Sequence, residues 1–320
     1  MSAIPTQPSA AFTLALDNEV NMGTPQAVVD AAVVKAYTPK PTTNPGFAFG
    51  FNGTLTGAIN DTSATVSEFL ADAGAFGGTA YIRVWTIWDL TKKVPQAGNP
   101  IYSMALQYAA AGVKVIAILN LQNCPGKLAP TAAQTAAYLA DHPTPAETGI
   151  WAYELGNELD STAYCGDNQL NVGNWIKGMS PTLRKLGFKV IGPNTIGGFS
   201  NLYDTYLRNG VMPFLDYAGK HPYEGTAAQL LADVDGVASW LAINAPNVQP
   251  AYTEVNLHPA SMAVEQAQLP LVWEGCKIRK GLFLHFPLYV CDTTAGPYAP
   301  YAKPGIQNPP VYAALKSALA

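Results

Sequence analysis

Short apolar runs alternate with longer stretches in which apolar residues recur every three or four positions. The rhythm begins at Phe47. Runs at 47–51, 81–85, 113–119, 150–155, 189–191, 214–218, 249–253 and 282–288 read as strands. The segments 63–73, 101–111, 130–141, 172–186, 202–209, 227–244, 262–280 and 310–319 read as helices. Gly112 and Gly187 stand where two of those helices should stop. The runs at 113–119, 150–155 and 282–288 are apolar almost throughout, as parallel strands buried on both faces are. Eight strand-then-helix units predict an α/β chain of one domain, a (β/α)8 TIM barrel over 46–320. Residues 1–45, broken by Pro39, Pro41 and Pro45, are expected to form an irregular segment packed on that barrel.

Composition agrees with a large folded core. Of 320 residues, 48% are apolar and only 12% charged, about half the usual charged share. The formal charge is −4 and no basic stripe exists, which argues against nucleic acid as a partner. No apolar run reaches the length of a membrane span. The stretch Met1-Ser-Ala-Ile-Pro5 lacks a charged region followed by an apolar one. Low charge with plentiful Thr, Asn and Pro suits a secreted or periplasmic protein whose signal is not in this sequence; a cytoplasmic protein is the alternative. Four cysteines, Cys124, Cys165, Cys276 and Cys291, form no CxxC pair, so zinc and dithiol chemistry are not indicated. Cys124 and Cys165 follow adjacent strands, which leaves two readings open: a bridge between them, or four buried free thiols. Cys276 and Cys291 flank the last strand and are not expected to pair.

Active sites of barrels lie at the C-terminal ends of the strands. The residues there include Asn52, Arg83, Trp85, Trp88, Asn120, Asn157, Glu158, Asn194, His221, Tyr223 and Glu254. Carboxylates, amides and aromatics suit a sugar: aromatic faces stack on pyranose C–H surfaces and amides bond hydroxyls. No glycine-rich phosphate loop follows the seventh or eighth run. Glu158 closes the run Trp151-Ala-Tyr-Glu-Leu-Gly-Asn-Glu158, and Glu254 lies in Ala251-Tyr-Thr-Glu254-Val-Asn. Two carboxylates at two strand ends suit glycosidic cleavage, one protonating the leaving oxygen and the other attacking the sugar. No His/Asp/Glu cluster has metal spacing, so neither a catalytic metal nor a cofactor is expected.

On these residues the chain resembles the clan A glycoside hydrolases over roughly 47–288. Gly156-Asn157-Glu158 and Glu254 carry the resemblance. Tyr153-Glu-Leu-Gly-Asn-Glu158, Val190-Ile-Gly-Pro-Asn194 and His221-Pro-Tyr223 look most like the heparanase and β-glucuronidase branch. The resemblance implies a retaining β-glycosidase with Glu158 as acid/base and Glu254 as nucleophile. It also matches Arg83 to the family's arginine on the second strand, and Tyr223 to its tyrosine near the nucleophile. Two features depart from that branch: there is no room for an added β-sandwich, and the eighth run reads His285-Phe-Pro-Leu-Tyr289 where the family often ends on Trp.

Each residue has a plainer reading. Arg83 would hold Glu254 ionised, or be a core ion pair. Asn157 would bond the sugar 2-hydroxyl. His221 would touch substrate, or merely pack beside Pro222. Trp88 is a better sugar platform than Trp85, and either could be barrel packing. Asn52, Asn120 and Tyr298 are further candidate substrate contacts, the last in a Pro- and Gly-rich stretch, 293–309, expected as a lid or substrate wall. Glu154 is expected to be bonded inside the barrel, His285 to be a core histidine and His142 to lie at the surface, while His258, after the seventh run, reads equally as a functional residue or a loop residue. A retaining pair places the two carboxyl groups about 5 to 5.5 Å apart. An oligo- or polysaccharide is the expected partner. A transglycosylase using the same residues, or a carbohydrate-binding barrel without catalysis, are the other readings.

Overall fold

A computed structural model describes residues 47–52, 80–85, 100–140, 142–257 and 262–285. Nine strands lie in these residues: β1 (Phe47–Asn52), β2 (Ala80–Trp85), β3 (Lys114–Leu119), β4 (Ile150–Leu155), β5 (Lys189–Ile191), β6 (Tyr217–Ala218), β7 (Tyr223–Glu224), β8 (Gln249–Leu257) and β9 (Gly281–His285). All pairings are parallel, in the order β6-β5-β4-β3-β2-β1-β9-β8-β7, and β6 also pairs with β8. That last pairing closes eight strands into a ring, with β7 as a short addition beside β8. The chain is a (β/α)8 barrel.

The helices are α1 (Pro100–Ala110), α2 (Ala132–Ala140), α3 (Pro145–Thr148), α4 (Gln169–Leu186), α5 (Phe199–Arg208), α6 (Ala227–Asn244) and α7 (Met262–Lys277). Among the described residues no helix is long and apolar enough to cross a membrane. The 63–73 and 310–319 helices, the 1–45 segment and the 293–309 stretch lie outside the described residues.

Strand side chains alternate, and the alternation sorts the core into two. Val115, Ala117 and Leu119 of β3, with Tyr153 and Leu155 of β4, join the cluster that includes helix residues Trp175, Met179 and Leu183. Full burial of a large apolar side chain contributes about 1.5–3 kcal/mol, so this sleeve dominates stability. Ile116, Ala152, Ile191, Ala251, Leu282 and Leu284 form the inner cluster. Two residues further along the same strands the interior changes character. Arg83 follows Tyr81, Glu154 follows Ala152 and Thr253 follows Ala251, and all three are fully buried. A polar layer therefore caps the apolar plug at the C-terminal end of the strands.

Several local outcomes differ from expectation. The run at 214–218 is a strand only at Tyr217–Ala218, while Met212–Phe214 forms a 3-10 turn containing Pro213, which has no N–H to give a sheet. The run at 249–253 continues to Leu257. The short helix α3 was not foreseen; Thr144 and Glu147 cap it reciprocally, and Gly149 ends it at φ 72°. His142 is buried rather than at the surface. Its Nε2 lies 3.0 Å from the Tyr153 hydroxyl, and its ring packs against Tyr138, Tyr153 and Phe188. Burial lowers its pKa from 6.5 to about 4. Cys124 and Cys165 are not bridged: both are buried free thiols, as is Cys276. The Cys165 sulfur is engaged locally, with the Asp167 backbone. Burial pushes the Cys276 thiol up to about 12.

Candidate active site

The chain leaves β4 through a turn that only particular residues accept. Gly156 has φ 101°, and a Cβ there would come within 2.6 Å of the Leu159 side chain. Glu158 itself has φ 47°, an uncommon value for a non-glycine residue. Its backbone N–H is tied to the Asn194 carbonyl at 3.0 Å, which fixes the turn against the end of β5. Strain of this kind is retained where the surroundings over-determine it, and it sets the direction of the Glu158 carboxyl.

Glu254 arrives from β8. Between Tyr252 and Val255 the register to β9 shifts, a bulge-type irregularity. In consequence neighbouring residues Thr253 and Glu254 both engage the barrel interior, where regular alternation would have separated them. Arg83 joins these elements. It donates through Nε to Glu154 Oε2 at 2.6 Å and through a terminal nitrogen to Glu154 Oε1 at 3.2 Å. Its other contacts are Glu254 Oε1 at 2.5 Å, Asn157 Oδ1 at 2.7 Å and Asn52 Oδ1 at 3.0 Å. The register that sets Asn52 beside Arg83 makes the last of these possible. Five bonds orient one guanidinium, whose charged form is favoured: burial opposes it, but Glu154 and Glu254 outweigh burial.

On the Glu254 carboxyl, burial alone would raise the pKa. His221, Arg83 and the hydrogen bond from the Tyr223 hydroxyl to Oε2 overcome that and hold it below the usual carboxylate range. His221 is fully buried, so it sits behind the carboxylates. Its Nδ1 lies 2.8 Å from Glu158 Oε1 and 3.7 Å from Glu254 Oε2. Its Nε2 lies 3.0 Å from Thr253 Oγ1. The Thr253 hydroxyl donates to Glu154 Oε1 at 3.0 Å, so it accepts from His221 Nε2–H. Nδ1 and Glu158 Oε1 then share a single proton between them, either as carboxylic acid with imidazole or as carboxylate with imidazolium. One ligand atom each from Glu158, His221 and Glu254 lie within 4.8 Å of one another, so these three are also able to hold a metal ion.

The remaining candidates fall into distinct places. Asn157 is buried, with Oδ1 on Arg83 and its amide nitrogen available to a ligand. Asn52 bonds Arg83 at one end of its amide and the Thr253 carbonyl at the other, beneath the carboxylates. Asn120 caps a 3-10 turn, accepting from the Gln122 N–H at 3.2 Å. Glu154 is the fully buried, internally bonded carboxylate expected of it, and Asn194 also donates to it. Trp88, Tyr298 and His258 lie outside the described residues, as do the side chains of Trp85 and His285. Two residues were not singled out from the sequence. Thr253 connects His221 to Glu154. Tyr164, in the loop after Glu158, has a phenol pKa raised by burial and then by the nearby Glu158 and Glu254.

No family model matches the chain, and no curated protein does. Solved structures do match in fold. A GH128 (subgroup I) endo-β-1,3-glucanase from Amycolatopsis mediterranei, in complex with laminaripentaose, gives a TM-score of 0.52 at 13% identity, over 85% of this chain and 100% of that one. A GH128 (subgroup II) endo-β-1,3-glucanase from Sorangium cellulosum gives 0.53 at 16%, over 85% and 97%. A fungal β-1,4-galactanase gives 0.52 at 16%, over 81% and 93%. At such identities the likeness is one of fold.

Proposed function

We propose that this chain is a retaining glycoside hydrolase acting on β-linked glycans, with Glu254 as nucleophile and Glu158 as acid/base. The observation that carries the proposal is the closeness of two carboxylates in unlike environments. An oxygen of Glu158 and one of Glu254 lie within 4.8 Å. Retaining enzymes hold the groups about 5–5.5 Å apart, whereas inverting enzymes need roughly 6.5–9.5 Å to admit a water.

The steps follow from the bonds. Glu254, held ionised, attacks the anomeric carbon as the bond to the leaving oxygen breaks. Glu158 gives that oxygen the proton it shares with His221. In the second step a water loses its proton to Glu158 and attacks the anomeric carbon, releasing Glu254 as carboxylate. In this reading the Asn157 amide N–H bonds the sugar 2-hydroxyl while Arg83, bonded to Asn157 Oδ1, fixes its orientation. The named activities of the fold neighbours, on β-1,3-glucan and β-1,4-galactan, supply the first substrates to test. The resemblance of short motifs to the heparanase and β-glucuronidase branch adds aryl β-glucuronides to that panel.

The test is turnover on these substrates, with the anomer released first read by NMR. Retention supports the assignment, and an inverted first product overturns it. Glu254→Ala is expected to lose nearly all turnover and to regain part of it with azide, yielding a glycosyl azide of inverted configuration. Unchanged activity in that variant removes Glu254 from the role.

A further inference from the structure

Four hydrogen bonds converge on Glu154 and set a direction that reaches the carboxyl of Glu158. Arg83 gives two of them, to Oε2 at 2.6 Å and to Oε1 at 3.2 Å. The Asn194 amide gives a third to Oε1 at 3.1 Å, and the Thr253 hydroxyl a fourth to the same oxygen at 3.0 Å. A carboxylate paired with a guanidinium only accepts, so the single hydroxyl proton of Thr253 is committed to Glu154. What the Thr253 oxygen has left is acceptor capacity, and it faces His221 Nε2 at 3.0 Å. The register shift between Tyr252 and Val255 puts Thr253 in this place, and Asn52 holds it there by donating to its carbonyl at 2.8 Å. Glu154, His221 and Thr253 are all fully buried, so bulk water offers none of them another partner.

We propose that Thr253 is a positioning residue for the acid/base: it keeps a proton on His221 Nε2, so that Nδ1 turns a lone pair to Glu158 and the pair holds one further proton for the glycosidic oxygen. A neutral imidazole carrying its proton on Nε2 has nothing to donate to Glu158 Oε1, 2.8 Å from Nδ1. The two atoms bond only when one more proton lies between them, and that is the proton Glu158 gives away as the bond to the leaving oxygen breaks. Once it has gone, carboxylate and lone pair face each other unbonded until the attacking water returns a proton to Glu158 in the second step. Without the Thr253 hydroxyl, the imidazole is free to move its own proton to Nδ1 and donate to the Glu158 carboxylate. The contact is then satisfied with no acid proton present. The use of the proton rests on the glycosidase reading; the direction of the hydrogen bonds does not.

The test reads the proton and its use separately, on the full chain. The ring nitrogens of His221 are observed by long-range proton–nitrogen NMR correlation, their signals identified by cross-relaxation with the Tyr223 ring, whose centroid lies 6.3 Å away. In the parent, Nε2 is expected in the protonated, pyrrole-type region. An unprotonated, pyridine-type Nε2 overturns the proposal without recourse to any variant. In Thr253→Val an Nδ1–H form should appear, and Thr253→Ser, which keeps the hydroxyl, should return the parent's pattern. The use of the proton is read from kcat/KM, which reports the first step, across β-glycosides of one sugar with leaving groups from dinitrophenol to an alkyl alcohol. A departing alkoxide needs the acid's proton and dinitrophenolate does not. Thr253→Val should therefore lose about tenfold or more further on the alkyl than on the dinitrophenyl glycoside, with Thr253→Ser recovering most of the difference. A loss equal on every leaving group would mark a merely structural residue and overturn the role. Nε2–H in a parent that turns over no glycoside would keep the hydrogen-bond direction and sink the catalytic reading instead.

Discussion

Tyr223→Phe tests how Glu254 is kept ionised. The tyrosine hydroxyl donates to Glu254 Oε2, while Arg83 serves Oε1. A hydrogen bond to a charged group contributes about 1.5–3 kcal/mol, and one pKa unit corresponds to about 1.4 kcal/mol. Losing the donor should therefore raise the Glu254 pKa by about one to two units, since its charged form is the one that loses a partner. If Glu254 is the nucleophile, as proposed, it must be ionised to attack, and the acid limb of kcat/KM against pH should move upward by that amount. Tyr223 is only half-buried, and Phe keeps its ring, so the fold should survive. Arg83→Met is a poorer probe. It also strips Glu154 and leaves buried carboxylates unpaired, at a cost of about 3–5 kcal/mol. The measurement is the pH profile on a small aryl glycoside, with thermal unfolding as control. An acid limb in the same place, with the fold intact, would refute the role given to this phenol.

Three further outcomes are expected. His142 has a pKa lowered by burial to about 4, against 6.5 when exposed, so the unfolded chain takes up the proton first. Stability should fall by about 3 kcal/mol as pH drops from above 6.5 to about 4, and His142→Gln, which can still bond Tyr153, should flatten that dependence in denaturant titrations across the window. Cys124, Cys165 and Cys276 should each react with iodoacetamide only after denaturation, with no reductant needed, as read by peptide mass; resistance of Cys124 and Cys165 until reduction would show a bridge. At Gly219 a Cβ would fall 1.5 Å from the Ala251 carbonyl oxygen, so Gly219→Ala should destabilise the barrel by about 3 kcal/mol or more in chemical unfolding, and a near-neutral effect would contradict the β6–β8 closure.

The barrel was legible because parallel strands bury both faces. Val113 to Leu119 and Ile150 to Leu155 need no partner information to read as strands. Glu158 and Glu254 were legible for a related reason: a charged residue at the end of an apolar run must be at the strand's mouth. What escaped reading depends on contacts between distant segments. Thr253 and Glu254 look like opposite faces of one strand until a register shift turns both inward. His142 looks like a surface residue until Tyr153 of β4 and Phe188, from the connection between α4 and β5, close over it. Asn52 and Asn120 sit at strand ends as sugar contacts would, yet the structure occupies Asn52 with Arg83 and Thr253 and Asn120 with its own turn. Strand ends supply polar groups both to ligands and to the barrel's own polar layer, and residue type does not separate the two uses.

That polar layer gathers three carboxylates around one guanidinium. Glu154, Glu158 and Glu254 bring three carboxylates to the mouth of the barrel, and Arg83 supplies one fixed positive charge. The proton shared by Glu158 and His221 adds a second, leaving a net charge of about −1 in a largely buried site. Glu154 takes two of the guanidinium's bonds and Glu254 one, so the fully buried carboxylate is the better neutralised, as the nucleophile role proposed for Glu254 would require. On the proposed reaction, a largely buried site with surplus negative charge would favour positive charge that develops only during turnover. An oxocarbenium-like transition state carries that charge at the anomeric carbon. A sugar in its ground state carries none, so the surplus would lower the barrier more than it tightens binding.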